Sequence, residues 1–138
     1  MPQPTEYRTT SVQRLDLFYR QAGPRDGETI VFLPGFPSSS AQYQPLIDRL
    51  SDRFRCIAVD YPGFGYSSTP PVDQFTYTFD ALAARTEELL IDKLALDRFW
   101  LYMFDFGAPV GLRIAARNAD RIAGPDRAER QCLRRRPR

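Results

Sequence analysis

Apolar and polar positions alternate along "VQRLDLFYRQA", residues 12–22, with Leu15, Leu17 and Tyr19 on one side. That period of two predicts an outer antiparallel strand at a sheet edge, closed by the turn "GPRDG". "TIVFLPG" comes next, a continuous run of strand formers ending in Pro-Gly. It reads as a strand covered on both faces, as parallel strands in α/β proteins are. In "SSSAQYQPLIDRLSDRF" the serines offer N-caps, and Tyr43, Leu46, Ile47 and Leu50 fall on one helical stripe. "RCIAVDYPG" repeats the buried-strand pattern. After the loop "FGYSSTPPVDQFTYT" a longer helix is expected from Phe79 to Leu94, packing through Leu82, Leu89, Leu90 and Leu94. "DRFWLYMFD" reads as a third covered strand, and "APVGLRIAARN" as a helix whose small residues allow close approach.

This β-α-β-α-β-α alternation places the chain in the α/β class, with a mostly parallel sheet, right-handed crossovers and helices on both faces. At 138 residues it suits one domain, and neither an internal repeat nor a low-complexity linker interrupts it before residue 124. The 43% hydrophobic content is globular, and charges break every apolar run before a membrane-spanning length. The polar start "MPQPTEYRTT" lacks a signal-peptide pattern, so a soluble, cytoplasmic protein is expected. Cys56 and Cys132 have no metal-type spacing and imply no disulfide framework. No metal or cofactor is expected.

Charge divides unevenly. Residues 1–124 carry 13 basic against 15 acidic side chains, whereas residues 125–138 carry six arginines against two acids. Such a tail suits anionic surfaces in general, but it lacks the interleaved aromatics of a specific nucleic-acid site, and no membrane partner is expected. The sequence contains no histidine, the usual general base near neutral pH.

The candidate chemistry lies in "LYMFDFGAPVG", where Asp105 ends a central strand just before a small-residue turn. In open α/β sheets the ligand crevice lies at the carboxyl ends of the strands, which makes Asp105 a candidate nucleophile. Gly107 supplies the small side chain that lets strand and helix approach, while Met103 is bulkier than the glycine common at such an elbow and predicts a looser turn. A carboxylate there can attack an electrophilic carbon and form an ester, and the following helix N-terminus favours its charge.

Three motifs carry a family resemblance over residues 12–124. "FLPGFPSSS" resembles the H-G-x-P oxyanion loop, "DYPGFGYSSTP" the D-x-P-G-x-G-x-S loop, and "MFDFGAPVG" the nucleophile elbow, of the α/β-hydrolase fold. The branch is the one resembling epoxide hydrolases and haloalkane dehalogenases, which use aspartate in place of serine. The resemblance implies that Asp105 is the nucleophile, that the backbone N–H groups of Phe36 and Phe106 form the oxyanion hole, and that the partner is a small-molecule electrophile. Asp60 is assigned to turn stabilisation, and Gly63 and Gly65 to backbone turns.

Two departures shape the expected function. Pro34 stands where the family usually has histidine, and Phe106 stands where dehalogenases usually have tryptophan, whose indole N–H helps bind the halide. The expectation is therefore epoxide-hydrolase-like chemistry, with haloalkane dehalogenation and a non-catalytic fragment with a basic tail as alternatives. Residues 1–124 are expected to be the amino-terminal part of a hydrolase domain. Residues 125–138 are expected to be an out-of-frame tail, because back-translating "PDRAERQCLR" one nucleotide out of frame permits an apolar strand and a polar turn. A chain so truncated is expected to lack turnover and to self-associate through an exposed strand edge.

Overall fold

The computed structural model describes residues 3–123; the 125–138 tail and Cys132 lie outside them. Five strands form one mixed sheet: β1 (Glu6–Val12), β2 (Leu15–Ala22), β3 (Thr29–Leu33), β4 (Arg55–Val59) and β5 (Phe99–Met103), in the order β1-β2-β4-β3-β5. β3 pairs in parallel with β4 and β5, while β2 runs antiparallel to both β1 and β4.

β1 corrects the expected edge. Residues from Leu15 onward form an inner strand, and the polar "EYRTTSV" lies outside it. The hairpin turns through Gln13 (φ 47) and Arg14 (φ 69), both left-handed, the conformation that matches the twist of two joined strands.

The alternation of β3 and β4 divides the core. Val31, Leu33, Ile57 and Val59 face one side with Leu82, Leu89, Leu90, Val110 and Ile114. Phe32, Cys56 and Ala58 face the other with Tyr43 and Ile47. The first layer holds α2 (Phe79–Glu87) and α3 (Gly107–Arg117), and the second holds α1 (Gln44–Leu50), so helices cover both faces. Thr78 caps α2, its Oγ1 accepting from Ala81 N at 3.0 Å.

The long helix expected to Leu94 changes character at Glu88, continuing as a π-helical turn to Lys93. The first helix is preceded by a 3-10 turn, Ser40–Tyr43, capped by Ser39. Among the described residues β5 is an edge strand of the sheet, with Trp100 40% and Tyr102 50% exposed; this is the exposed strand edge expected, and it overturns only the reading of β5 as covered and central. Tyr102 meets Tyr43 edge-on and packs against Phe32 with the rings tilted by 44°. Among the described residues the outer side of β5 is met only by a parallel bridge from Phe99 to Ile122. None of the described helices is long and apolar enough to cross a membrane.

Candidate active site

β5 ends at Met103, and the chain reverses into α3 at Gly107. Asp105 occupies the bend with φ 55, a left-handed conformation that costs a non-glycine residue energy and recurs at functional turns. The residue therefore lies just beyond the strand. The close approach comes from Gly107, where a Cβ would collide with the Leu33 carbonyl of β3.

The structure brings the three sequence-predicted residues together. Asp105 Oδ2 accepts from Phe36 N at 2.9 Å and from Phe106 N at 2.8 Å. No described residue donates to Oδ1. These two backbone donors, Phe36 first, hold the Asp105 carboxyl below its ordinary value of 3.8, outweighing a small opposing effect of desolvation. The carboxylate is exposed to solvent.

Gly35 makes this contact possible: a Cβ there would stand 2.6 Å from Asp105 Cβ. Sequence reasoning passed over its role, although the Pro-Gly at the end of β3 was its signal. Around Gly35 the loop is tied by side chains. Tyr43 OH donates to Leu33 O at 2.6 Å, Tyr61 OH donates to Pro34 O at 2.9 Å, and Gln42 Oε1 accepts from Gly35 N at 3.1 Å. Burial pushes the Tyr43 phenol up to about 12 and the Tyr61 phenol higher, so both remain donors.

Beside the elbow lies an apolar hollow of about 410 Å³. Phe36 and Phe106, whose rings stack with centroids 5.2 Å apart, form one wall. Phe64, Tyr77, Phe79 and Leu82 complete much of the rest. Phe79 meets the Phe106 ring edge-on at 5.0 Å. With phenylalanine at 106, the side chain there offers no N–H to the hollow.

Asp60 is 1% exposed and ties two loops beside this hollow. Its Oδ1 accepts from Ser40 N at 2.7 Å and its Oδ2 from Tyr66 N at 3.0 Å. Gly63 (φ 84) and Gly65 (φ 48) supply the turns, and a Cβ on Gly65 would collide with the Asp60 carboxylate. Cys56 is a buried free thiol pushed up to about 11 by burial, which makes it inert packing. Among the described residues no group of three His, Cys, Asp or Glu side chains stands together to hold a metal ion.

Comparison with known proteins bears on the fold. A family model described as alpha/beta hydrolase fold matches residues 28–124. An uncharacterized hydrolase of Saccharomyces cerevisiae is 42% identical over 108 residues, covering 78% of this chain and 36% of the relative. Haloalkane dehalogenase 2 of Mycobacterium tuberculosis is 37% identical over 121 residues, covering 88% of this chain and 41% of the relative. The crystal structure of haloalkane dehalogenase DbeA from Bradyrhizobium elkani superposes with a TM-score of 0.79 at 27% identity, over 86% of this chain and 39% of that one. The chain thus spans about two fifths of the length of these proteins.

Proposed function

The chain belongs to the alpha/beta hydrolase fold family, and from that premise we propose that it carries the nucleophile half of a hydrolase site that opens small apolar epoxides through an ester at Asp105. The observation that carries this reading is the asymmetric holding of the carboxylate. Oδ2 lies between two N–H donors, and Oδ1 is left to attack. In the attack, Oδ1 forms a bond to an epoxide carbon, the C–O bond of the strained ring breaks, and the resulting alkoxide takes a proton from water. Oδ2 then becomes the ester carbonyl oxygen.

Hydrolysis would place negative charge on that same oxygen, already between the N–H groups of Phe36 and Phe106, which is the role of an oxyanion hole. That step needs a base to draw a proton from water, and these 138 residues contain no histidine. The ester at Asp105 is the step that these residues supply, with residues 1–124 as the amino-terminal part of the hydrolase domain.

A second reading, haloalkane dehalogenation, draws support from the 37% identity to Haloalkane dehalogenase 2. It keeps the same attack but expels a halide, for which Phe106 offers no side-chain donor. One experiment separates the two. The chain is incubated with an aryl epoxide or with a primary bromoalkane and analysed by intact and peptide mass spectrometry. The expected result is one epoxide added per chain, mapped to Asp105 and absent from Asp105→Asn. Faster labelling by the bromoalkane with stoichiometric bromide release would favour the second reading, and no adduct on Asp105 from either reagent would refute both.

A further inference from the structure

We infer that Gln42 is a positioning residue for the nucleophile: by holding Gly35 N–H it aims the next amide, Phe36 N–H, at Asp105. The inference rests on the reading of Asp105 as the attacking group. Past Leu33 the chain leaves the sheet, and its backbone groups need other partners. The carbonyls of Leu33 and Pro34 take the phenols of Tyr43 and Tyr61, and Gly35 O accepts from Ser38 N at 3.0 Å. Pro34 has no N–H, so the loop offers two successive donors, those of Gly35 and Phe36. The first goes to Gln42 Oε1 at 3.1 Å and the second to Asp105 Oδ2 at 2.9 Å.

Successive amides that both pointed at one carboxylate would demand a different loop path, so the acceptor on Gly35 selects which amide reaches Asp105. Gln42 can serve because the turn leading into it is fixed, its own N–H donating to Ser39 O at 3.1 Å. Ala41 N donates to Ser39 Oγ at 3.2 Å, and Ser40 N donates to the buried Asp60 at 2.7 Å. The line of bonds thus runs from Asp60 through the turn to Gln42, and from there through Gly35 and Phe36 to Asp105. Tyr43 and Tyr61 are core side chains, but Gln42 is exposed, so its amide can be removed while the core stays filled.

The test is Gln42→Leu in the full chain, a swap that changes no charge. The Asp105 carboxyl is titrated by 13C NMR, 15N spectra follow Phe36 and the core amides of β3 and β4, and labelling by an aryl epoxide is timed. The variant is expected to raise the Asp105 pKa toward the ordinary carboxylate range, because the charged form loses a donor, and to shift the Phe36 amide. An Asp105 titration and a Phe36 amide unchanged from wild type would overturn the inference. So would core amides shifting as widely as those of the loop, because Gln42 would then be a general stability element. If wild type takes up no label, the ester reading fails, while the titration still decides the role of Gln42.

Discussion

Met103 Sδ fills the space that a side chain at Gly111 would take: a Cβ on Gly111 would collide with it and stand 2.7 Å from Met103 Cγ. The bulk that predicted a looser elbow is received by the first turns of α3, and Asp105 still adopts the sharp left-handed bend. Position 103 and position 111 are thus a matched large-small pair.

The first prediction follows from that pair. Gly111→Ala should lose most of the about 1 kcal/mol by which alanine is the better helix former, because its Cβ must displace the flexible, 37% exposed Met103 side chain. Adding Met103→Ala should recover part of the loss, giving a favourable coupling in a double-mutant cycle by urea denaturation. Additive effects would show that the two positions do not share the space.

A second prediction concerns the bend itself. With φ 55 at position 105, alanine there carries a steric cost that glycine avoids. Asp105→Gly should therefore be more stable than Asp105→Ala by about 1 kcal/mol, with neither variant labelled by epoxide. Equal stabilities in thermal melts would mean that the left-handed bend is not kept in solution.

The pH dependence of labelling has a definite sign. Because Phe36 N–H and Phe106 N–H hold the Asp105 carboxyl below 3.8, it stays ionised through the ordinary carboxylate range. The labelling rate should hold a plateau as pH falls and drop only below that value. The stability that the ionised group contributes follows the same window: it is present above the unfolded pKa and is lost as pH falls through the lower folded value. A pH–rate midpoint at or above 3.8 would contradict the double donation to Oδ2.

Gly35→Ala tests the approach of the two loops. Its Cβ would stand 2.6 Å from Asp105 Cβ, so the loop at Gly35 and Phe36 must retreat and the Phe36 N–H must lengthen its bond. Labelling should slow by about tenfold or more, since small misplacements of reacting groups are costly, and the Asp105 pKa should rise. Wild-type labelling in this variant would show that the approach is not needed.

Much of this architecture was legible because local pattern and tertiary role coincide. β3 and β4 are continuous apolar runs and are covered on both faces. Asp105 was visible because an acid between a strand and a small-residue turn has few structural uses. β1 was missed because it is mostly exposed, so its polar residues carry no burial signal. Its turn was missed because Gln13-Arg14 lacks the Asn or Gly that marks left-handed hairpin positions. β5 misled because its composition suits a covered strand, whereas coverage depends on neighbours that no local window contains. Gln42 gave no signal, since a polar residue on an exposed turn looks the same whether or not a distant amide meets it.

Asp60 supplies the last prediction, because its assignment to turn stabilisation did not say which turns it joins. Its two oxygens serve different segments, Oδ1 the start of the turn before α1 and Oδ2 the loop at Tyr66. Asp60→Ala would strand both N–H groups, each at on the order of 1–3 kcal/mol where water cannot reach it. Asp60→Asn keeps one oxygen acceptor but turns an NH2 toward the other donor, so it should satisfy one segment and repel the second. The order of stability in urea should be wild type, then Asn, then Ala. The Asn variant should also show disturbed amide shifts at only one of Ser40 and Tyr66. If Asn were as harmful as Ala and disturbed both amides, the carboxylate would be acting through its charge and not as two separate acceptors.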